Sequence, residues 1–512
     1  MVPQTYLQRS FGPGVLSSLL LLCAVAAALP LAAQTAAQTA AESVVGNSAS
    51  SSSGNSTGNS SGTIPAPIQS VISGHGLPSD SYSFVVQEIG VTQPLLTLNA
   101  DQSLNPASTM KIITTLAALE TLGPAYNWRT ELYALGPIEN GTLNGDLLLK
   151  GSGDPFLVEE QLRNMLKALQ RAGVERISGN LILDGSYFDS SVVEEENIDN
   201  QAGRAYNTEP HAVLANFQTV TFYFYPHQNG NDVVIRTDPR LPNLYIDNRL
   251  RQHDAACSGY QRGITFDVNQ NRTGEIIFSG QFPSRCNQFQ MTREVLDAPG
   301  YTFGLFKSLW QEIGGELQGS QVLGTVPDDQ DPLLVWSSSP LSDVIKSINK
   351  FSNNLMTRHL LLTLGAEQLG PPATVEKGRE VVAAWLGSKE LDSTMLVLEN
   401  GAGLSRDARI TTGLMTSVLQ DAWRSPWMPE FLASLPLNGM DGTMRNRLQD
   451  GNMRGRMHIK TGSLAGVSAV AGYVHAQSGK VYTVSGIINH ELADRGPGIE
   501  LMDALLAWVY TR

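Results

Sequence analysis

Asn105-Pro-Ala-Ser108-Thr-Met-Lys111 is the stretch on which the reading of this chain turns. Asn followed by Pro is a helix start, a capping side chain and then a residue whose φ is already helical. Met110, Ile113 and Ala117 carry the apolar period forward to Gly123. Residues three apart on a helix share a face, so Ser108 and Lys111 are neighbours. A serine hydroxyl attacks carbonyls only when a base within about 3 Å takes its proton. A lysine becomes that base when burial and a nearby second cation lower its pKa. A nucleophile near a helix start also has unsatisfied N–H groups aimed at developing negative charge. Alone, such a pair is more often two polar residues on a helix surface.

Two further motifs change that balance: Ser352-Asn-Asn354, and Lys460-Thr-Gly462 followed by Ser463. The second pattern also has a decoy, because Ser347-Ile-Asn-Lys350 fits it by spacing. Leu341, Val344, Ile345, Ile348 and Phe351 mark one helical face, which puts Ser347 and Asn349 on the polar face and leaves Ser352 where the period stops. Ser352 can relay a proton between Lys111 and a leaving group, and Asn354 offers an amide for a substrate peptide carbonyl. The structural alternative for this motif is a capped helix start. Met457 to Thr461 reads as a strand with Lys460 and Thr461 at its end, and Lys460 is the cation that would lower the Lys111 pKa. Lys460 with the hydroxyls of Thr461 and Ser463 suits a free C-terminal carboxylate, and Gly462 would leave room for a substrate backbone alongside. His458 shares the Lys460 face of that strand and could reach the same cleft.

Around these motifs the texture is that of a folded enzyme. At 512 residues, 42% apolar and 16% charged, the chain has room for two or three domains. A net charge of −13 argues against nucleic acid as a partner. Residues 1–33 read as a secretory signal, with Arg9 ahead of the apolar stretch Val15 to Leu29, which is shorter than the ~20 residues of a membrane span. Residues 34–63 are a linker rich in Ser, Gly and Asn. With Cys23 leaving in the signal, Cys257 and Cys286 remain; a disulfide between them is expected in an oxidising compartment, two separately buried thiols being the alternative. The remaining His residues, among them His211, His253, His359 and His490, show no ligand spacing, so neither metal nor cofactor is expected. Gly151-Ser-Gly153-Asp-Pro lacks the lysine of a phosphate loop and reads as a turn.

Ser83 to Ile89 and Leu95 to Leu98 read as a strand hairpin, and short alternating runs such as Ile177 to Asp184, Val220 to Tyr225 and Glu275 to Ser279 fill residues 132–325. The chain closes as strand, strand, helix over Ala469 to Val474, Lys480 to Ile488 and Ile499 to Tyr510. One α/β unit, residues 64–131 and 326–512, is thus split by a large β-rich insertion at 132–325. The three motifs in this order, with the insertion after the first, resemble the class C low-molecular-mass penicillin-binding proteins. Gly145-Asp-Leu, Ser178-Gly-Asn180, Asn400-Gly-Ala-Gly-Leu-Ser-Arg406 and Gly439-Met-Asp-Gly-Thr-Met-Arg445 look like that family's segments too.

The resemblance implies a β-lactamase/transpeptidase-like catalytic domain, an antiparallel sheet with helices on both faces, and an insertion of two subdomains. It implies an exported, periplasmic or extracytoplasmic serine D-alanyl-D-alanine carboxypeptidase or endopeptidase acting on peptidoglycan peptides and acylated by β-lactams. Ser108, Lys111 and Ser352 would be catalytic, with Asn354, Lys460, Thr461, Gly462 and Ser463 binding substrate and the backbone N–H groups of Ser108 and Ser463 forming the oxyanion hole. Asn353 stands where many members are expected to have Asp. Two other readings compete: a β-lactamase or esterase on the same fold, and a non-catalytic wall-binding protein, for which five intact motif side chains would have no purpose.

Overall fold

The computed structural model describes residues 63–189, 203–227, 230–258, 263–269 and 271–512. The expected signal and all but the last residue of the expected linker lie outside them. At the centre is a five-stranded sheet in the order Met457–Leu464, Val467–His475, Val481–Asn489, Tyr82–Glu88, Leu96–Leu98, antiparallel throughout. Tyr82–Glu88 pairs along its whole length with Val481–Asn489, from Tyr82 opposite Ile488 to Glu88 opposite Tyr482. Segments from both ends of the described chain therefore build one sheet.

Side chains alternate across a strand, and here both sets find cover. Ala469, Ala471, Tyr473 and Ile487 enter the core shared with the helices Lys111–Leu122, Leu341–Phe351, Asn354–Leu369, Val375–Ser388 and Thr412–Ala422. Val470, Val474, Val484 and Ile488 point the other way, into the core under Ala66–His75 and Pro497–Tyr510. Covering both faces explains why these strands read as near-continuous apolar runs although they are antiparallel. The fold is the expected antiparallel sheet with helices on both faces.

The intervening stretch is less purely β than its texture suggests. Two helices, Glu159–Arg171 and Ala298–Glu312, lie within it. The first buries Leu162, Met165, Leu166 and Leu169, a helical stripe that the sequence carries openly. The second is capped by Asp297, which accepts from Gly300 N. The run Ile177 to Asp184 is two short strands, Arg176–Ile177 and Leu181–Asp184, in different sheets. The strand Leu334–Ser337 pairs with Arg129–Leu135. That pairing carries the inserted sheets past residue 326, so the return to the central unit comes after Ser337. Two further three-stranded sheets contribute Phe222, Phe224, Phe278 and Phe282 to one core, with Phe278 edge-on to Phe222 and Phe224 at 5.0 and 5.1 Å. Cys257 and Cys286 are joined in a disulfide, with Cα atoms 4.8 Å apart. No helix among the described residues is long and apolar enough to cross a membrane.

Candidate active site

Ser108 sits on a single 3-10 turn, Ala107–Met110, that runs into the helix Lys111–Leu122. The α-helix thus starts five residues later than the Asn-Pro signal suggests. The delay has a local cause: Asn105 Oδ1 accepts from Ala107 N at 2.9 Å, and Ala107 has φ 45°, a left-handed value that costs a non-glycine residue energy and needs outside support. The support is a clamp around Asn105. Its Nδ2 donates to Ser405 O and Arg406 O, while Asn489 takes its N–H and donates to its carbonyl.

Lys111 is fully buried. Its Nζ lies 3.0 Å from Ser108 Oγ, 2.6 Å from Asn354 Oδ1 and 2.6 Å from Ala402 O. A neutral amine has two N–H bonds and one lone pair. The two acceptors use the N–H bonds, and the lone pair is left for the Ser108 hydroxyl proton. Burial, and then the charge of Lys460, hold the Lys111 pKa well below the usual lysine range. Lys460 is itself fully buried, and burial pushes it down to about 7. Its Nζ donates to Ser352 Oγ at 2.9 Å and to Thr461 O at 2.8 Å. Ser352 caps the helix Leu341–Phe351 at φ 57°, and Asn353 then caps the next helix by accepting from Met356 N. Asn at that position does the capping an Asp would do.

Several expectations change. Asn354 is not a free amide: its oxygen accepts from Lys111 Nζ, and its Nδ2 has no hydrogen bond among the described residues. Gly462 has a further structural requirement within the chain. A Cβ there would lie 2.4 Å from Pro106 O and 3.1 Å from the nitrogens of Ser108 and Thr109, so the missing side chain makes room for the nucleophile's own turn. Asn349 does not face solvent. It is fully buried, donating to Ser434 Oγ at 2.9 Å and Thr115 Oγ1 at 3.3 Å, while Thr115 bonds back to Lys111 O. Ser347 is half-buried and stays outside the cluster. His458 bonds to Leu432 O at 3.0 Å and packs on His475. Thr461 is half-buried and Ser463 exposed on the same strand. Among the described residues no group of three or more His, Cys, Asp or Glu could hold a metal ion.

Sequence reasoning singled out Asn400 to Arg406 and Gly439 to Arg445 only by resemblance and gave no role to the Ala402 carbonyl or to Thr443. A backbone acceptor carries no residue signature, although Gly401 and Gly403, at φ 71° and 69°, marked the tight turn that presents it.

Comparison with known proteins gives the family and the fold. Residues 65–509 match the model of the D-Ala-D-Ala carboxypeptidase 3 (S13) family. The chain is 28% identical over 453 residues to the D-alanyl-D-alanine carboxypeptidase of an Actinomadura species, covering 86% of this chain and 82% of that one. To the D-alanyl-D-alanine carboxypeptidase DacB of Haemophilus influenzae it is 27% identical over 424 residues, covering 82% and 88%. The crystal structure of penicillin binding protein 4 (dacB) from Haemophilus influenzae superposes with a TM-score of 0.75 at 24% identity, covering 87% of this chain and 99% of that one, which shows the shared fold. With a match spanning nearly the whole described chain, the protein belongs to the D-Ala-D-Ala carboxypeptidase 3 (S13) family.

Proposed function

We propose that the protein is a serine DD-peptidase of the cell wall, in which Ser108 attacks the carbonyl between two D-alanine residues of a peptidoglycan stem peptide. Lys111 Nζ takes the Ser108 proton as the Oγ–C bond forms, and the backbone N–H groups of Ser108 and Ser463 hold the resulting oxyanion. Lys460, Thr461 and Ser463 hold the terminal carboxylate, and Asn354 Nδ2 meets a peptide carbonyl. Ser352 passes its proton to the departing amine as the C–N bond breaks and takes in its place the proton that Lys111 accepted from Ser108, while Lys460 keeps its charge, leaving an acyl-Ser108 ester and neutral Lys111. Water, deprotonated through the same groups, hydrolyses the ester and restores the Ser108 hydroxyl.

The observation that carries this reading is the coordination of Lys111: two acceptors for its N–H bonds, Ser108 for its lone pair, and a buried cation beside it. The names of the relatives support the reaction. Penicillin binding protein 4 of Haemophilus influenzae has also been solved complexed with a β-lactam, which supports β-lactams as acylating agents here. Export to the wall belongs to the same reading and rests on residues 1–33. Incubation with wall fragments of defined cross-linking tests it: release of D-alanine or scission of cross-links, both abolished by Ser108→Ala, is expected. Intact fragments after prolonged incubation would contradict the assignment.

A further inference from the structure

Between Gly442 and Met457 the chain carries four arginines, Arg445, Arg447, Arg454 and Arg456, against a single acid, Asp450, although its net charge is −13. Arg447 is neutralised by Asp503 at 2.7 Å. Arg445, Arg454 and Arg456 are exposed and form no ion pair among the described residues. An uncompensated basic flank on an acidic protein is a surface for anions. The flank is fixed to the site at both ends. At one end Asp441 accepts from Lys350 Nζ at 2.7 Å, and Thr443 Oγ1 meets Thr461 Oγ1 at 2.7 Å. At the other, Arg456 immediately precedes the strand Met457–Leu464, and its N–H donates to Asn438 Oδ1. There it lines a cleft of about 450 Å³ with Asn452, Ala476, Gln477, Gly479 and Tyr510. The Asn452 and Gln477 side chains are exposed and make no hydrogen bond among the described residues.

We propose that Arg445, Arg454 and Arg456 form an exosite for the acidic departing strand of a cross-linked peptide. The inference rests on the DD-peptidase reading and adds to it a preference for cross-linked substrates. Position along the strand gives the direction. In that reading the oxyanion sits at Ser463 N and the carboxylate of the leaving residue at Thr461. Moving back along the strand therefore follows the substrate from the scissile carbonyl into the leaving group. Arg456 stands five residues before Thr461, about 16 Å away on strand geometry. Free D-alanine is too small to span that distance. The leaving group of a cross-linked substrate is a second peptide strand, long enough to carry its further carboxylates along the arginines and into the cleft at Arg456.

The test uses two substrates that share an acyl-D-alanyl group and a D-lysine leaving group, its ε-amine extended by a short tail of glutamates in one and of glutamines in the other. kcat/KM for each is measured at low salt and at about 1 M salt. The proteins are the full parent, Arg445→Gln, Arg454→Gln, Arg456→Gln and the triple variant. Three exposed ion pairs should give the parent a glutamate-to-glutamine ratio of about 10 at low salt, most of it gone at about 1 M. Each single substitution should lower the ratio by about 2-fold, and the triple variant should bring it to about 1. A parent ratio near 1, a ratio that survives high salt, or an equal fall on both tails in the variants would overturn the exosite while leaving the DD-peptidase reading in place. So would a parent that cleaves acyl-D-alanyl-D-alanine and neither tailed substrate. A parent that cleaves none of the three would overturn both.

Discussion

Replacing Lys460 with Arg separates the two charges that the mechanism asks for. The account needs Lys111 neutral and Lys460 charged, so acylation should rise with pH as Lys111 loses its proton and fall as Lys460 loses its own. Burial sets the Lys460 pKa at about 7. Its charged fraction then drops from about nine-tenths at pH 6 to about one-tenth at pH 8, a loss of about 10-fold in carboxylate recognition. Arg cannot be deprotonated in this range. The larger guanidinium enters a fully buried position, so absolute rates will fall, and the readout is the shape of the curve. Second-order rate constants for acylation by a fluorescent penicillin, taken from pH 5 to 9, should show an alkaline limb near 7 in the parent and none in Lys460→Arg. Because the two lysines interact, the limbs report the pair. The uncharged Lys460→Met should move the acid limb upward by about 1 to 3 units, since a like charge near Lys111 is gone. An alkaline limb that survives unchanged in Lys460→Arg would refute the reasoning.

Lys111→Ala should slow acylation by about 10²- to 10⁴-fold, the usual worth of a positioned base, while Ser347→Ala stays within about 2-fold of the parent. Both are read by penicillin labelling over time. His359 is fully buried, bonded to Gly153 O, and held down to about 4, chiefly by burial. The unfolded chain therefore binds the extra proton first as pH falls below about 6.5, and stability is lost between there and about 4. That loss is roughly 2 kcal/mol at pH 5 and roughly 3 kcal/mol once both states are protonated. Denaturant unfolding at pH 7 and 5 should show a smaller difference in His359→Gln, and an equal difference would sink the assignment.

What could be read from the sequence was what repeats locally. The period Leu341, Val344, Ile345, Ile348, Phe351 gave the helix Leu341–Phe351 with its ends, and the alternation before Glu88 gave the hairpin. The side chains proposed as catalytic were visible because each motif is three or four residues long. The exposure of Asn349 was misjudged because a buried polar side chain looks like a solvated one until its partners are known, and Thr115 and Ser434 are 234 and 85 residues away. The packing need for Gly462 was hidden for a similar reason: the backbone it accommodates comes from Pro106 to Thr109. Thr443 was marked only by the resemblance of its segment, because its contact to Thr461 spans 18 residues. The helix Glu159–Arg171 is a different failure, because Leu162, Met165, Leu166 and Leu169 are spaced for a helix and the surrounding strands obscured them.

The central claim is that Ser108 is the nucleophile, and covalent labelling tests it most directly. A β-lactam offers a strained amide and a carboxylate in the arrangement of acyl-D-Ala-D-Ala, and its leaving nitrogen stays tethered after ring opening, so the ester should persist. Peptide mass mapping after incubation with penicillin should find one adduct, on the peptide containing Ser108, and Ser108→Ala should carry none. An adduct on any other peptide, or undiminished labelling of Ser108→Ala, would contradict the account.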